Sequence, residues 1–311
     1  MSNTQWENLS VQALAVVAVV YFLALLAHLV EWAALRKLPT DAPLDQRTRT
    51  FGRFGFLLTV IGAAVQLVAL VGRGMAADPN RVPWGNMYEF VITGTFVLVL
   101  AYLVLRGRFS LEWLAPIVVG FALTVLMVAE LTLYEEVVPL TEALSSPWLV
   151  IHVVAAVIAT GAFTLGGILS VLYLVKERKP DTTTGFLARV PELDALDRIS
   201  YRIHAFAFPV WTFAVLIAGP IWAHYAWSRY WGWDAKEVWA FITWVVYAAY
   251  LHARATAGWK GRNAAIVALV GVGTLWFNFI GINYFFGGSS QHSYAAPSVV
   301  QEPVRSSYDL I

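Results

Sequence analysis

Apolar residues in this chain gather into long blocks and do not recur at the period of an amphipathic helix or a strand. A segment that crosses a bilayer needs roughly 20 mainly apolar residues. It must also satisfy its own backbone, which favours helices over open strands. Eight blocks meet the length requirement: 11–35, 51–71, 87–105, 113–133, 148–175, 205–227, 238–254 and 264–286. The seventh is the shortest. The pattern therefore predicts an all-α polytopic membrane bundle of about eight transmembrane helices. It predicts one transmembrane domain over residues 1–311, because the interior polar stretches, of which 176–202 is the longest, are too short for a soluble domain. A polar tail, 288–311, closes the chain, and no internal repeat is evident.

Composition supports that reading. The chain is 59% hydrophobic and 13% charged, with a mean hydropathy of +0.64. Soluble domains carry about 25% charged residues. There is no cysteine, so the chain offers no disulfide, thiolate metal site or dithiol centre. A net charge of +1 gives no electrostatic footprint for nucleic acid. The first block is too long for a removable signal peptide and is expected to stay in the membrane. Most of the Lys and Arg residues fall after the odd-numbered blocks, including Arg36, Arg106, Lys176, Arg198, Arg254 and Arg262. The positive-inside rule then puts both termini outside the cytoplasm.

The densest chemistry lies at 227–239, WSRYWGWDAKEVW, predicted as an external loop between the sixth and seventh spans. Trp227, Tyr230, Trp231, Trp233 and Trp239 are interleaved with Asp234, Lys236 and Glu237. An interfacial aromatic belt needs fewer rings. The segment reads as a platform for a large flat ligand with a polar edge, such as a porphyrin. The predicted topology puts His152 and His292, far apart in sequence, on the same outer face. Imidazole is a common axial ligand of haem iron. Two such rings would hold a haem between them, whereas each alone reads as an ordinary helix-end histidine. His224 also ends the sixth span at that face, and His204 opens it near the cytoplasmic side.

His252 is expected to lie buried toward the cytoplasmic end of the seventh span. An ionisable group there marks a ligand site by default, and a hydrogen bond between packed helices is the alternative. His28 sits at a similar depth, three residues from Glu31, and the two are placed to pair. Glu89 is either functional or paired with Arg73 or Arg81. Asn278 and Asn283 are expected to hydrogen-bond across helices, and Gly271, Gly273 and Gly281 to permit close packing.

The 227–239 segment resembles the WWD segment of haem-handling proteins of cytochrome c biogenesis, and most closely the CcsA (ResC) family of the system II cytochrome c synthase. The similarity is carried by Trp227, Tyr230, Trp231, Trp233, Asp234, Lys236, Glu237, Trp239 and Ala240, with Ser228, Gly232, Ala235 and Val238 departing. It extends to SSPWLVIHV around His152, QHSY around His292, PWGNMYEF from Pro83, and the stretch around His252 and Trp259. The resemblance implies a multi-pass protein of the plasma (cytoplasmic) membrane that exports haem b. It implies presentation at an extracytoplasmic site with His152 and His292 as axial ligands, for thioether attachment to the CxxCH motif of apocytochrome c.

It further implies that His252 ligates haem at an inner loading site, with a second histidine from a CcsB (ResB)-like membrane subunit. His28 is the local candidate for that second ligand. Trp227, Trp231 and Trp233 would hold the macrocycle, and Arg229 or Lys236 would meet the propionates. Asp234 and Glu237 would either order the loop or guide the substrate's histidine. The chain would act as a holocytochrome c synthase subunit without a nucleophile or base of its own, because the substrate supplies the thiols. A thiol-reducing pathway protein is a further implied partner. Two rivals remain open: a haem chaperone or exporter serving a separate ligase, and a secondary transporter without haem.

Overall fold

The structure is a computed structural model describing residues 1–36, 38, 44–137, 146–179 and 184–285. Every fold element there is helical: α1 (Asn3–Leu35), α2 (Gln46–Ala76), α3 (Met87–Phe109), α4 (Ala115–Thr132), α5 (Pro147–Glu177), the short α6 (Phe186–Arg189), α7 (Leu193–Trp227), α8 (Ala235–Thr256) and α9 (Arg262–Gly281). A short turn, Ile282–Phe285, extends α9. The helix starts are written in the sequence. Ser2, Asp45, Asn86, Ser146 and Asp234 each cap a helix by accepting a hydrogen bond from a backbone N–H of its first turn.

Among the described residues, seven helices are long and apolar enough to cross a membrane. They correspond to seven of the eight predicted blocks. The remaining block, 238–254, does form a 22-residue helix, α8. It falls short in apolarity because Trp239, Trp244, Tyr247, Tyr250, His252 and Arg254 each bring a polar edge. Sequence also placed the start of α7 too late. Its first turns, from Leu193, were hidden by their charges, but Leu196, Ile199, Ile203 and Ala207 bury one face at helical spacing.

α5 is the central helix. Its most apolar window is 72% buried, against 39–44% for the other six. It packs on α3, α7 and α9, while α1 and α2 form a long antiparallel pair joined to α4 and α3. Small residues permit the close approaches. The Gly166 face of α5 receives the His204 ring, and Gly271 of α9 receives Tyr247. Gly273 faces open space, so the expectation of close packing fails at that position.

Several polar groups inside the bundle are paired across helices. Gln66 accepts from the Tyr21 hydroxyl at 2.9 Å and donates to the Ile92 carbonyl and to Thr95 Oγ1, joining α1, α2 and α3. Glu89 is fully buried and bonds Arg73 Nε at 3.0 Å and Arg81 Nη1 at 2.5 Å, so it pairs with both candidates. Arg73 also lies 3.5 Å from Glu7 and donates to the Glu135 carbonyl. This ties the start of α1, the end of α2 and the start of α3 together at one end of the bundle. At the other end, Asp197 accepts from Arg254 Nη1 at 2.6 Å and from Gly261 N at 3.0 Å, linking α7, α8 and the turn before α9.

Candidate functional site

The site starts with a break in the helix ladder of α7. Pro220 has no N–H to offer the preceding turn, and residues Phe213–Ala218 widen into a π-helical turn. Such turns are rare and often mark functional positions. Here the Gly219 N–H reaches back to the Ala214 carbonyl. The same carbonyl lies 2.8 Å from Nδ1 of His152, on α5. A carbonyl only accepts, so Nδ1 carries the proton and the neutral ring keeps its lone pair on Nε2. That is the tautomer a metal ligand requires. The ring lies nearly parallel to Trp222 at 6.0 Å between centroids and against Gly219, where a side chain would crowd it.

α9 carries a second π-helical turn, Phe277–Gly281. It presents Asn278 and Phe279 toward the same place. Between the two widened helices, the start of α3 and the start of α8 lies a cavity of about 230 Å³. His152, Trp227, Trp231, Lys236, Glu237 and Asn278 all line it. Trp231 Nε1 and Asn278 Oδ1 are buried and have no hydrogen-bond partner among the described residues. An aromatic wall with a few polar side chains suits a flat ligand with polar groups at its rim. Burial pushes the Lys236 ammonium down to about 8, with Asp234 opposing.

Asp234 and Glu237 form a reciprocal cap. Asp234 Oδ1 accepts from Glu237 N at 2.9 Å, and Glu237 Oε2 accepts from Asp234 N at 3.2 Å and Gly232 N at 2.7 Å. Of the two roles left open by sequence, ordering the loop is the one this geometry performs. The cap also holds Trp233 at φ 58, a left-handed conformation uncommon for a bulky residue. Trp233 is 71% exposed and meets Trp231 edge-on at 5.9 Å. It stands outside the cavity, at its rim. The Arg229 guanidinium packs over Gly232 and does not line the cavity.

The other histidines are dispersed. His292 lies outside the described residues. His252 is exposed on α8, which corrects the expectation that it is buried. The inward face of that helix is taken by Thr243, Tyr247 and Tyr250. His28 is held between α1 and α2, 3.4 Å from Thr59 Oγ1 and 3.6 Å from Glu31, so the expected pairing with Glu31 forms. His224 stacks on Tyr230 at 4.4 Å. His204 is not at the mouth of a span. It is fully buried within α7, with Nδ1 donating to the Ser200 carbonyl at 2.8 Å.

Sequence reasoning missed Asn278 and the Ala214 carbonyl. The signal for the second was Gly219-Pro220 inside an apolar block. Asn283 donates to its own helix at the Phe279 carbonyl, and neither asparagine shows a hydrogen bond to another helix among the described residues.

Residues 84–288 match the family described as "Cytochrome C assembly protein". The chain is similar to the cytochrome c biogenesis protein CcsA of Trieres chinensis, 30% identical across 79% of this chain and 88% of that protein. It is 34% identical to CcsA of Guillardia theta across 70% of this chain and 78% of the relative. The CcsA of Synechococcus elongatus is also 34% identical, across 70% and 80%. Among solved structures, the cytochrome c haem lyase CcmF superposes with a TM-score of 0.60 at 16% identity, covering 91% of this chain. That likeness concerns the fold, and the chain spans 49% of the solved chain.

Proposed function

The chain belongs to the CcsA family of cytochrome c assembly proteins, and from that premise we propose that its aromatic cavity presents haem b for attachment to apocytochrome c. It is a multi-pass membrane protein of cytochrome c biogenesis. The observation that carries the finer reading is the meeting of His152 with Trp227, Trp231, Lys236 and Glu237 around one cavity. His152, fixed through Nδ1, would offer Nε2 to the iron. His292 is proposed as the opposite ligand. Lys236 would meet a propionate, and the exposed Trp233 would guard the rim where the substrate peptide arrives.

The bond-forming step is an addition. Each cysteine S–H of the CxxCH motif adds across one vinyl C=C, the sulfur bonding one carbon and the hydrogen the next, so no oxidant is consumed. The chain's contribution is placement, which is a large share of catalysis when two partners must meet in one geometry. The site is proposed to face the extracytoplasmic side of the plasma membrane. His252 is proposed as a ligand at an inner loading site completed by a CcsB-like subunit. Its exposure supports this, because an exposed imidazole on a helix inside the bilayer is costly unless a partner covers it.

The test is spectroscopic. Purified protein should carry a low-spin haem b spectrum. His152→Gly should open the iron site and free imidazole should refill it. Haem transfer to a CxxCH peptide should require the CcsB-like subunit. A His152→Gly protein with the parental spectrum removes His152 from the site.

A further inference from the structure

The aromatic cavity is closed too tightly for the ligand proposed for it. Its volume is about 230 Å³, and small-molecule sites run to roughly 300–1,000 Å³. A macrocycle therefore enters only if part of the wall yields. Most of the wall is firm: Leu149, Trp211, Trp222 and Asn278 line it and are buried. Among the described residues that line the cavity, Tyr230 alone is exposed, at 59%. A ring that meets both the cavity and the solvent stands at the mouth.

Tyr230 lies midway along the turn from α7 to α8, and both ends of that turn are fixed. Ser228 closes α7 at φ 57, its N–H donating to the His224 carbonyl at 2.9 Å. At the far end, Gly232 N and Asp234 N donate to Glu237. Between these anchors the Tyr230 hydroxyl makes no hydrogen bond among the described residues. Its ring lies face to face with the His224 imidazole instead, 4.4 Å between centroids and 6° between planes. His224 is exposed and does not line the cavity. It sits in the last turn of α7, the helix that brings Trp222 and Ala223 into the wall. The stack therefore ties a mobile ring to a fixed one. An aromatic pair favours the closed arrangement by only about twofold to tenfold, so it holds the ring shut and still lets it open.

We infer that Tyr230 is the lid of the aromatic cavity and that His224 is the positioning residue that keeps it closed. The stack sets how fast the flat ligand enters and leaves, while His152 and the buried wall set what is held. The identity of that ligand rests on the haem reading above; the lid rests on the cavity itself.

The experiment uses the full chain in lipid nanodiscs. The chain has no cysteine, so one introduced thiol reports alone. Ala240 lines the cavity and is 8% exposed, so Ala240→Cys reports opening through its rate of reaction with a water-soluble maleimide in haem-free protein. His224→Ala should raise that rate about twofold to tenfold. His224→Phe, which keeps a flat ring against Tyr230, should restore the parental rate. Tyr230→Ala should be at least as fast as His224→Ala, and combining the two should add nothing. Ala77→Cys is the control, 2% exposed just beyond α2 and away from the cavity, and its rate should be the same in every background. In haem-loaded protein, His224→Ala should speed haem transfer to excess apomyoglobin by the same factor and leave the absorption spectrum before transfer unchanged.

An unchanged Ala240→Cys rate in the His224→Ala background overturns the lid, and normal haem binding in that protein leaves the haem reading standing. Failure of His224→Phe to restore the rate, or equal acceleration at Ala77→Cys, also overturns it. Acceleration confined to Ala240→Cys in a protein that takes up no haem supports the lid and overturns the haem reading.

Discussion

Replacing Gly219 by alanine tests whether the orientation of His152 matters. A Cβ built on Gly219 would lie 3.0 Å from His152 Nδ1, 3.1 Å from Cε1 and 3.1 Å from the Ala214 carbonyl oxygen. Non-bonded carbon contacts are comfortable at about 3.5–4.0 Å, so the ring must retreat by about 0.5 Å. Its hydrogen bond to Ala214, now 2.8 Å, would then stretch to about 3.3 Å, past the usual range. The lost hydrogen bond is worth about 1 kcal/mol. Overpacking in a filled interior adds about 1–3 kcal/mol.

Half an ångström is also about the tolerance of a ligating group. If half of that penalty falls on the bound state, haem affinity drops about fivefold to thirtyfold, at 1.4 kcal/mol per decade. The assay is a haem titration of the protein in nanodiscs followed by absorbance, with Gly273→Ala as the control because nothing lies within 4 Å of a Cβ there. Wild-type affinity and an unshifted spectrum in a folded Gly219→Ala protein would refute the claim that Ala214 and Gly219 aim the imidazole.

The remaining predictions concern charge and sidedness. Glu89→Gln leaves Arg81 buried without its counterion and Arg73 with only Glu7, at 3.5 Å, and should destabilise the protein by about 3–5 kcal/mol in denaturant titration; a change under 1 kcal/mol would mean the network is dispensable. Lys236 holds its proton below about pH 8 and loses it above. Affinity for an anionic porphyrin should therefore fall as pH rises through 8, by up to about tenfold per unit, and Lys236→Met should flatten the profile; parallel profiles in the two proteins would dismiss Lys236 as the anion partner. Tyr225→Cys should react with an impermeant thiol reagent from outside the cell and Trp259→Cys only after permeabilisation; the opposite labelling would invert the proposed topology. His252→Ala should leave stability within about 0.5 kcal/mol, as at other exposed positions, yet deplete haem from the complex with the partner subunit. Full haem loading would end its ligand role.

The parts of the site that were legible in the sequence are those made of side chains in one contiguous run. Trp227, Trp231, Lys236 and Glu237 are close in the chain, and one turn and one cap suffice to gather them. His152 was legible because a helix end fixes its depth, and the bundle places that end beside the loop. The Ala214 carbonyl was not, since any residue type supplies a carbonyl and only the widened turn before Pro220 directs this one at His152. Asn278 looked like helix glue because an isolated amide in an apolar block has many uses. His252 was misjudged for a related reason. Depth along a helix can be counted from its end, but the face a side chain occupies depends on neighbours, and Tyr247 and Tyr250 claim the inner one. The length of α7 was underestimated because its charged first turns lower the hydropathy while keeping an apolar stripe.

The widened turn in α7 also sets the helix's phase. From Leu196 to Trp222 an unbroken α-helix would make about 7.2 turns, carrying Trp222 about 80° off the line of Leu196. One residue absorbed by the π-turn subtracts about 100°, which brings Trp222 to within about 20° of that line. Both residues are buried. A single-residue deletion within 213–218 that restored regular winding would leave about 6.9 turns and keep Trp222 on that line, whereas a deletion elsewhere in α7, with the π-turn retained, would swing everything after it, including the Trp-rich loop, by about 100° around the helix axis. The π-turn thus absorbs one residue from the count between the buried stripe of α7 and the cavity, and an insertion or deletion outside that turn would be far more disruptive than most substitutions.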